Sequence, residues 1–162
     1  MSFCSWYITQ YDLEPERAVW PLLLKLEETL QSVNPNWQIH LHAFAADRLP
    51  DWLTFAHINV DECGVDGRNN TLYNMAEVTG LNFMVQATLL SQTKQVEALL
   101  DAVSMIEDLE LLDFAFVCLG GTHRSVGGIL LLSAMAYPNA VLVLHTNRTV
   151  RAAESLGLTH AR

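Results

Sequence analysis

The pattern of apolar and polar positions at the start of the chain predicts a strand, a helix and a second strand. Residues 3–10 are rich in aromatic and β-branched side chains, which favour a strand. Apolar residues then recur at helical spacing over 15–33, with Pro15 in the first turn. Residues 37–44 alternate with a period of two, as a half-buried strand does. Residues 1–50 therefore predict a β-α-β unit.

The rest of the chain continues the alternation of strands and helices. Three further runs have the length and composition of strands: 55–60, 114–117 and 140–144. Helical patterns separate them, over 81–110 and 124–136. This order predicts a single α/β domain over 1–162, with a mostly parallel sheet and flanking helices. Because crossovers between parallel strands are right-handed, the ends of the strands at Val60, Val117 and Leu144 should meet at one edge.

One long stretch, 61–80, lacks any regular period and contains Gly64, Gly67 and Gly80. An irregular stretch of about 20 residues inside a compact domain is uncommon and often functional. We therefore expect a mobile flap.

Charge and cysteine content restrict the classes of function. The chain has 9 basic and 18 acidic residues, a formal net charge of −9, which argues against a broad basic face for nucleic acid but leaves room for a local anion pocket. Cys4, Cys63 and Cys118 show neither disulfide nor zinc spacing, so we expect a reducing, cytoplasmic compartment and neither a metal nor a cofactor. Residues 125–147 carry no charge, but Pro138 divides them into a helix and a strand, so no membrane span is predicted.

The candidate chemistry lies in 118–125, Cys-Leu-Gly-Gly-Thr-His-Arg-Ser, which joins a buried strand to a helix. Gly120 and Gly121 let a ligand approach the backbone, and the N–H groups of the turn and the helix N-terminus favour an anion. Arg124 can hold two phosphate oxygens with its guanidinium fork, and Cys118 beside this positive end is expected to have a lowered pKa. Further donors are the side chains of Thr122, His123 and Ser125. The segment predicts a phosphate-binding loop.

The spacing of the same segment resembles the phosphate loop of cysteine-dependent phosphatases. That resemblance implies that Cys118 is the nucleophile, Arg124 the phosphate clamp and Ser125 the hydroxyl that supports the thiolate. Val117 stands where many of these enzymes carry a histidine, and the chain has no Trp-Pro-Asp acid loop.

A likeness over more of the chain involves 118–126, Cys-x-Gly-Gly-x-His-Arg-Ser-Val, which resembles the signature of the C-terminal domain of the RNase adapter protein RapZ. Residues 58–61 with 78–81, a strand, an aspartate and Thr-Gly-Leu, resemble a second part of that family. The strand ending at His145, with Arg148 beyond it, resembles the last strand of the family. The likeness covers about 55–150, so that 1–50 is an extension.

This resemblance implies a sensor or adapter domain that binds a phosphosugar such as glucosamine-6-phosphate, without catalysis, and that forms a homo-oligomer. The ligand-binding residues that it implies are Asp61, Cys118, Gly120, Gly121, Thr122, His123, Arg124, Ser125 and His145. It also implies an RNA or RNase partner, against which the net charge of −9 argues. The other histidines of predicted strands, His40, His42 and His57, are predicted to be strand residues rather than ligands.

Overall fold

The computed structural model describes residues 3–11, 13–60 and 78–157. Within these ranges the chain forms α-helices, β-strands and one 3₁₀ turn in the following order: α1 (Phe3–Gln10), α2 (Val19–Leu30), β1 (His40–Ala45), the 3₁₀ turn (Asp51–Leu53), β2 (His57–Asn59), α3 (Phe83–Leu90), α4 (Thr93–Leu109), β3 (Asp113–Cys118), α5 (Arg124–Met135), β4 (Val141–Leu144) and α6 (Asn147–Ser155). Asp61 and most of the predicted flap, 61–77, lie outside the described residues.

The four strands form one sheet in the order β2-β3-β1-β4, and every neighbouring pair is parallel. The predicted α/β class is therefore confirmed. Because all the strands run in the same direction, β1, β3 and β4 end at the same edge, at Ala45, Cys118 and Leu144. The prediction that the strand ends meet at one edge is confirmed as well. This carboxyl edge is where sheets of this class bind ligands.

The helices form a layer on one face of the sheet. Helix α5 crosses β1 and β3, and Gly128 lies so close to Phe116 that a Cβ there would be 2.7 Å from the Phe116 ring. Phe114, Phe116 and Leu41 are almost fully buried under this layer. Burial of one such side chain contributes roughly 1.5–3 kcal/mol to folding. Helix α4 lies beside α5, α2 packs on α4, and α1 packs on α3.

The first element is a helix, so the predicted strand over 3–10 and the β-α-β unit are wrong. Cys4, Tyr7 and Ile8 are buried at the i, i+3, i+4 spacing of one helical face. The Tyr7 ring meets Phe83 of α3 edge to face, with the ring centroids 6.1 Å apart. Aromatic and β-branched side chains favour strands only weakly, and here the packing against α3 overrides that preference.

Two helices also differ from the prediction. The helical pattern that begins near Leu81 is divided between α3 and α4, and at the start of α4 the N–H of Thr93 donates a hydrogen bond to Glu16 at 3.2 Å. Helix α6 follows β4 directly and was not predicted. As predicted, the uncharged stretch 125–147 holds α5 and β4, and no helix in the described part of the chain is long and apolar enough to cross a membrane.

Candidate functional site

The loop between β3 and α5 is shaped by a glycine that packs against the neighbouring strand. Gly121 has a φ of 65°, in the left-handed region that favours glycine. A Cβ on Gly121 would lie 2.5 Å from the backbone nitrogen of Ala45. Gly120 is different, since the nearest atom to a Cβ there is the Thr122 hydroxyl at 3.9 Å. Gly121 is therefore required by the fold, whereas Gly120 leaves an open approach to the backbone.

A second glycine fixes this loop from the other side. The N–H of Gly80 donates to the carbonyl of Thr122 at 2.8 Å, and a Cβ on Gly80 would lie 2.1 Å from the nitrogen of Gly127. The carbonyl of Gly80 accepts a hydrogen bond from Gln86 Nε2 at 2.9 Å, and Gln86 in turn accepts one from the buried hydroxyl of Tyr7. Helices α1 and α3 thus hold the loop through one short chain of hydrogen bonds.

Cys118 lies beneath the loop rather than in the open. Its thiol donates to Ser125 Oγ at 3.1 Å, and the N–H of Ser125 lies 3.5 Å from the sulfur. Cys118 is only 3% exposed and Ser125 is fully buried. Cys118 is paired with Ala45 in the register and so lies on the helical face of the sheet. The sulfur is therefore covered by the first turn of α5.

The carboxyl ends of the strands enclose an open cavity of about 540 Å³, which we call the carboxyl-edge cavity. Three connections line it: the segment after β1, the loop between β3 and α5, and the start of α6. The lining residues are Ala45, Asp47, Arg48, Leu119, Gly120, His145, Thr146 and Asn147. Thr146 caps α6 by accepting a hydrogen bond from the N–H of Thr149 at 3.3 Å, so the positive end of α6 borders the cavity.

A row of hydrogen-bonded side chains runs from this cavity along the face of the sheet opposite the helices. His145 Nε2 lies 3.1 Å from His42 Nδ1, and His42 Nε2 lies 2.9 Å from Asp113 Oδ1. The ring of His145 stacks on Phe44, with the centroids 3.7 Å apart. Phe44 and Cys118 belong to opposite faces of the sheet. The side chains of His145 and Cys118 therefore share an edge but do not meet.

Both histidines of this row are held in the neutral form. Partial burial, helped by the neighbouring His42, lowers the pKa of His145 to about 4. Burial also lowers the pKa of His42, and the hydrogen bond to Asp113 only partly opposes this effect. His145 is consequently uncharged at neutral pH, so its ring is a hydrogen-bonding group there rather than a cation.

The structure brings together only some of the predicted site residues. Gly120 and His145 line the carboxyl-edge cavity, and Arg124 is the first residue of α5. Four other predicted site residues of the loop are buried: Cys118, Gly121, Thr122 and Ser125. His123 directly precedes α5. Among the described residues, no group of histidine, cysteine, aspartate and glutamate side chains could hold a metal ion.

The partners of His145 are not predicted by the sequence. His40, His42 and His57 are strand residues as predicted, but His42 also joins His145 to Asp113. The alternation of His40, His42 and Phe44 placed these three side chains on one face, which was the available signal. The contact with Asp113 depends on the pairing of β1 with β3, and the two residues are 71 positions apart.

Comparison of the chain with protein-family models, with curated proteins and with solved structures found no match.

Proposed function

We propose that this chain is a sensor or adapter domain that binds a small phosphorylated ligand in the carboxyl-edge cavity. The observation that carries the proposal is the glycine turn between β3 and α5, whose open residue, Gly120, lines that cavity. A turn of this kind directs backbone N–H groups toward a ligand, and the helix that follows adds its positive end. The proposal is thus based on backbone geometry at the edge where parallel sheets bind ligands.

The surroundings of the cavity favour an anion of modest size. Arg48 is part of the lining, Arg124 begins α5, and the first turn of α6 starts at Asn147 in the cavity wall. Arginine guanidinium groups and helix N-termini are the features that proteins use for phosphate. A cavity of about 540 Å³ is in the range of small-molecule sites and is too small for a macromolecule.

The resemblance to the RapZ C-terminal domain narrows the proposal to a phosphosugar such as glucosamine-6-phosphate. The segments that carry it, 79–81 and the loop after β3, contact each other through Gly80 and Thr122. The resemblance extends the proposal to a cytoplasmic homo-oligomer. The net charge of −9 favours a small ligand over RNA as the partner that this domain recognises directly.

Arg124 provides the first test. In a thermal-shift screen with inorganic phosphate, hexose phosphates and nucleotides, a ligand at about 100 times its Kd stabilises the protein by roughly 2.7 kcal/mol. Replacing Arg124 by alanine should weaken binding by about 2–4 kcal/mol, since a charged hydrogen bond in a partly desolvated site is lost. Arg124→Lys keeps the charge without the planar fork, so its affinity for the ligand should lie between those of the parent and Arg124→Ala.

Arg17→Ala is the matched control for this test, because it removes an exposed arginine that precedes α2 and is not part of the cavity lining. The control should bind like the parent. If no phosphorylated compound raises the melting temperature of the parent, or if Arg124→Ala binds them as well as Arg17→Ala does, the proposed function is wrong.

The competing function is that of a cysteine-dependent phosphatase, and the contact between Cys118 and Ser125 is the observation that favours it. Its weakness is that the sulfur is covered by α5 and lies on the face opposite His145. The two functions predict different results for Cys118→Ser, which should leave ligand binding largely intact in a sensor but abolish turnover in a phosphatase. Hydrolysis of an aryl phosphate that depends on Cys118 would favour the phosphatase.

A further inference from the structure

In the row Asp113–His42–His145, the carboxylate of Asp113 determines which ring nitrogens of the two histidines carry a proton. Asp113 can only accept a hydrogen bond, so His42 must carry its proton on Nε2, 2.9 Å from the carboxylate. The other nitrogen of His42, Nδ1, then has only a lone pair. Because this nitrogen lies 3.1 Å from His145 Nε2, the proton of that contact belongs to His145. Neutral His145 therefore has an unprotonated Nδ1.

The surroundings of His145 leave Nδ1 as the ring nitrogen that can bind a ligand. Nε2 of His145 is engaged with His42, and one side of the ring stacks on Phe44. His145 lines the carboxyl-edge cavity, together with Asp47 and Arg48. Asp47 is a second group that can only accept hydrogen bonds. One part of the wall thus offers acceptors, while Gly120 and Arg48 offer the donors that suit an anion.

An acceptor at this place is unsuited to a phosphate oxygen and suited to a hydrogen-bond donor. A phosphate oxygen beside an unprotonated Nδ1 would bring two lone pairs together. No hydrogen bond can form between two acceptors, so binding would be weakened. A hydroxyl or an amine satisfies the nitrogen instead. A site that hydrogen-bonds a substrate hydroxyl discriminates strongly against an analogue that lacks it.

We propose that His145 Nδ1 accepts a hydrogen bond from a hydroxyl or amine group of the ligand, and that Asp113 and His42 are positioning residues that fix this role. The inference rests on the proposed function, to which it adds the chemistry of the second half of the ligand. The preferred ligand carries a phosphate and, apart from it, at least one hydrogen-bond donor. A bare phosphate or a simple alkyl phosphate satisfies only half of the site.

The tautomers of the histidines test the positioning role without any ligand. Long-range ¹H–¹⁵N correlation spectra of the full chain at neutral pH should show His42 and His145 protonated at Nε2. His57 is an internal control with the opposite tautomer, because its Nδ1 lies 2.7 Å from the carbonyl oxygen of Thr54 and must donate. Asp113→Asn should leave His145 as a mixture of tautomers. A His145 protonated at Nδ1 in the parent would overturn the inference.

Binding of matched probes tests the acceptor role. Glucosamine-6-phosphate and glycerol 3-phosphate carry donors, whereas methyl phosphate carries none beyond its phosphate. We expect the two donor-bearing probes to bind the parent about 10-fold more tightly than methyl phosphate. In His145→Phe, which keeps a ring on Phe44 but has no nitrogen, this ratio should fall close to one.

Two further variants keep this test decisive. Asp113→Asn retains His145 and should reduce the ratio several-fold, which covers the case of a His145→Phe chain that does not fold. His40→Gln changes an exposed neighbour whose Nδ1 lies 3.7 Å from Asp113, and it should retain the full ratio. A ratio that persists in both His145→Phe and Asp113→Asn overturns the inference and leaves the proposed function standing. If none of the three probes binds the parent, the inference is overturned, and if no compound of the thermal-shift screen binds either, the proposed function fails with it.

Discussion

The two faces of the sheet differ at the carboxyl edge in what holds the residues in place. On the helical face the loop after β3 is fixed by backbone contacts, with Gly121 against Ala45 and Gly80 against Gly127. On the other face the row from Asp113 to His145 is held by hydrogen bonds between side chains. On the helical face the site therefore depends on glycines, which have no side chain, whereas on the other face it depends on which ring nitrogens carry a proton.

This difference has consequences for mutation. A change on the helical face should act first on folding, because interior packing tolerates little added volume. A change on the histidine face should act first on recognition and on pH dependence, since the row of hydrogen-bonded side chains ends at His145 in the wall of the cavity.

The largest effect is expected for Gly80→Ala. The added Cβ would lie 2.1 Å from the nitrogen of Gly127 and 2.3 Å from the carbonyl oxygen of His123, both of them backbone atoms that cannot move alone. We expect a loss of about 3 kcal/mol or more in the free energy of unfolding, measured by urea denaturation.

Gly120→Ala is the matched control for this prediction, with the same change of side chain in the same loop. Its Cβ would have an ordinary contact at 3.9 Å with the hydroxyl of Thr122, so the unfolding free energy should change by less than about 0.5 kcal/mol. Phosphate binding should nevertheless weaken, because the new methyl group obstructs the approach to the backbone. Equal stability of the two variants would contradict the packing described for the helical face.

A smaller effect is expected for Tyr7→Phe, which removes the hydroxyl that donates to Gln86. Gln86 is 3% exposed, so its oxygen is left buried and without that donor. We expect a loss of about 1–3 kcal/mol in unfolding free energy. Tyr11→Phe removes a hydroxyl outside this chain of hydrogen bonds and should have little effect; the same loss in both variants would show that Gln86 does not depend on Tyr7.

The loop after β3 and the histidine row also differ in how far each could be predicted from the sequence. The loop after β3 is a continuous segment, so Gly120, Gly121 and Arg124 could be recognised together. The histidine row joins residues from β1, β3 and the end of β4, and it exists only because these strands are neighbours. No local pattern encodes that order of strands. Asp113 was therefore missed, and His42 was identified only as a strand residue.

The elements of the fold were predictable to different degrees for a similar reason. Strand β3 was predicted from its continuous apolar run because a strand buried on both faces has that composition. The composition of residues 3–10 predicts a strand, although Cys4, Tyr7 and Ile8 have helical spacing, because the packing partner of α1 is α3, far along the chain. Composition is thus a poor guide where packing between distant segments decides the structure.

The pH dependence of stability tests the histidine face. Because the folded-state pKa of His145 is about 4, below the ordinary value of 6.5, the unfolded chain binds more protons between these two values. The histidine is therefore expected to lower stability as the pH falls from about 6.5 toward about 4, with no effect above that window. His145→Phe should lose stability less steeply than the parent in urea denaturation at a series of pH values. Identical slopes would mean that His145 is not held neutral by the fold.

The smallest effect is expected at Glu110, outside both regions. Glu110 follows α4 with a φ of 49°, in the left-handed region, and its N–H donates to the carbonyl of Ile106. Glycine is favoured at this position of a helix end, so Glu110→Gly should raise the unfolding free energy by about 0.5 kcal/mol. Phosphate affinity and histidine tautomers should remain as in the parent. A destabilised variant would indicate that the side chain of Glu110 contributes more than its backbone strain costs.

Amide NMR during a titration with inorganic phosphate tests the claim that the glycine turn holds a phosphate at the carboxyl edge. The N–H signals of Gly120 and Gly121 should move with a single saturable affinity, and those of α1 should remain in place. In Arg124→Ala the same signals should move only at much higher phosphate concentration. If phosphate leaves the Gly120 and Gly121 signals unchanged, or shifts them equally in the parent and in Arg124→Ala, the claim is contradicted.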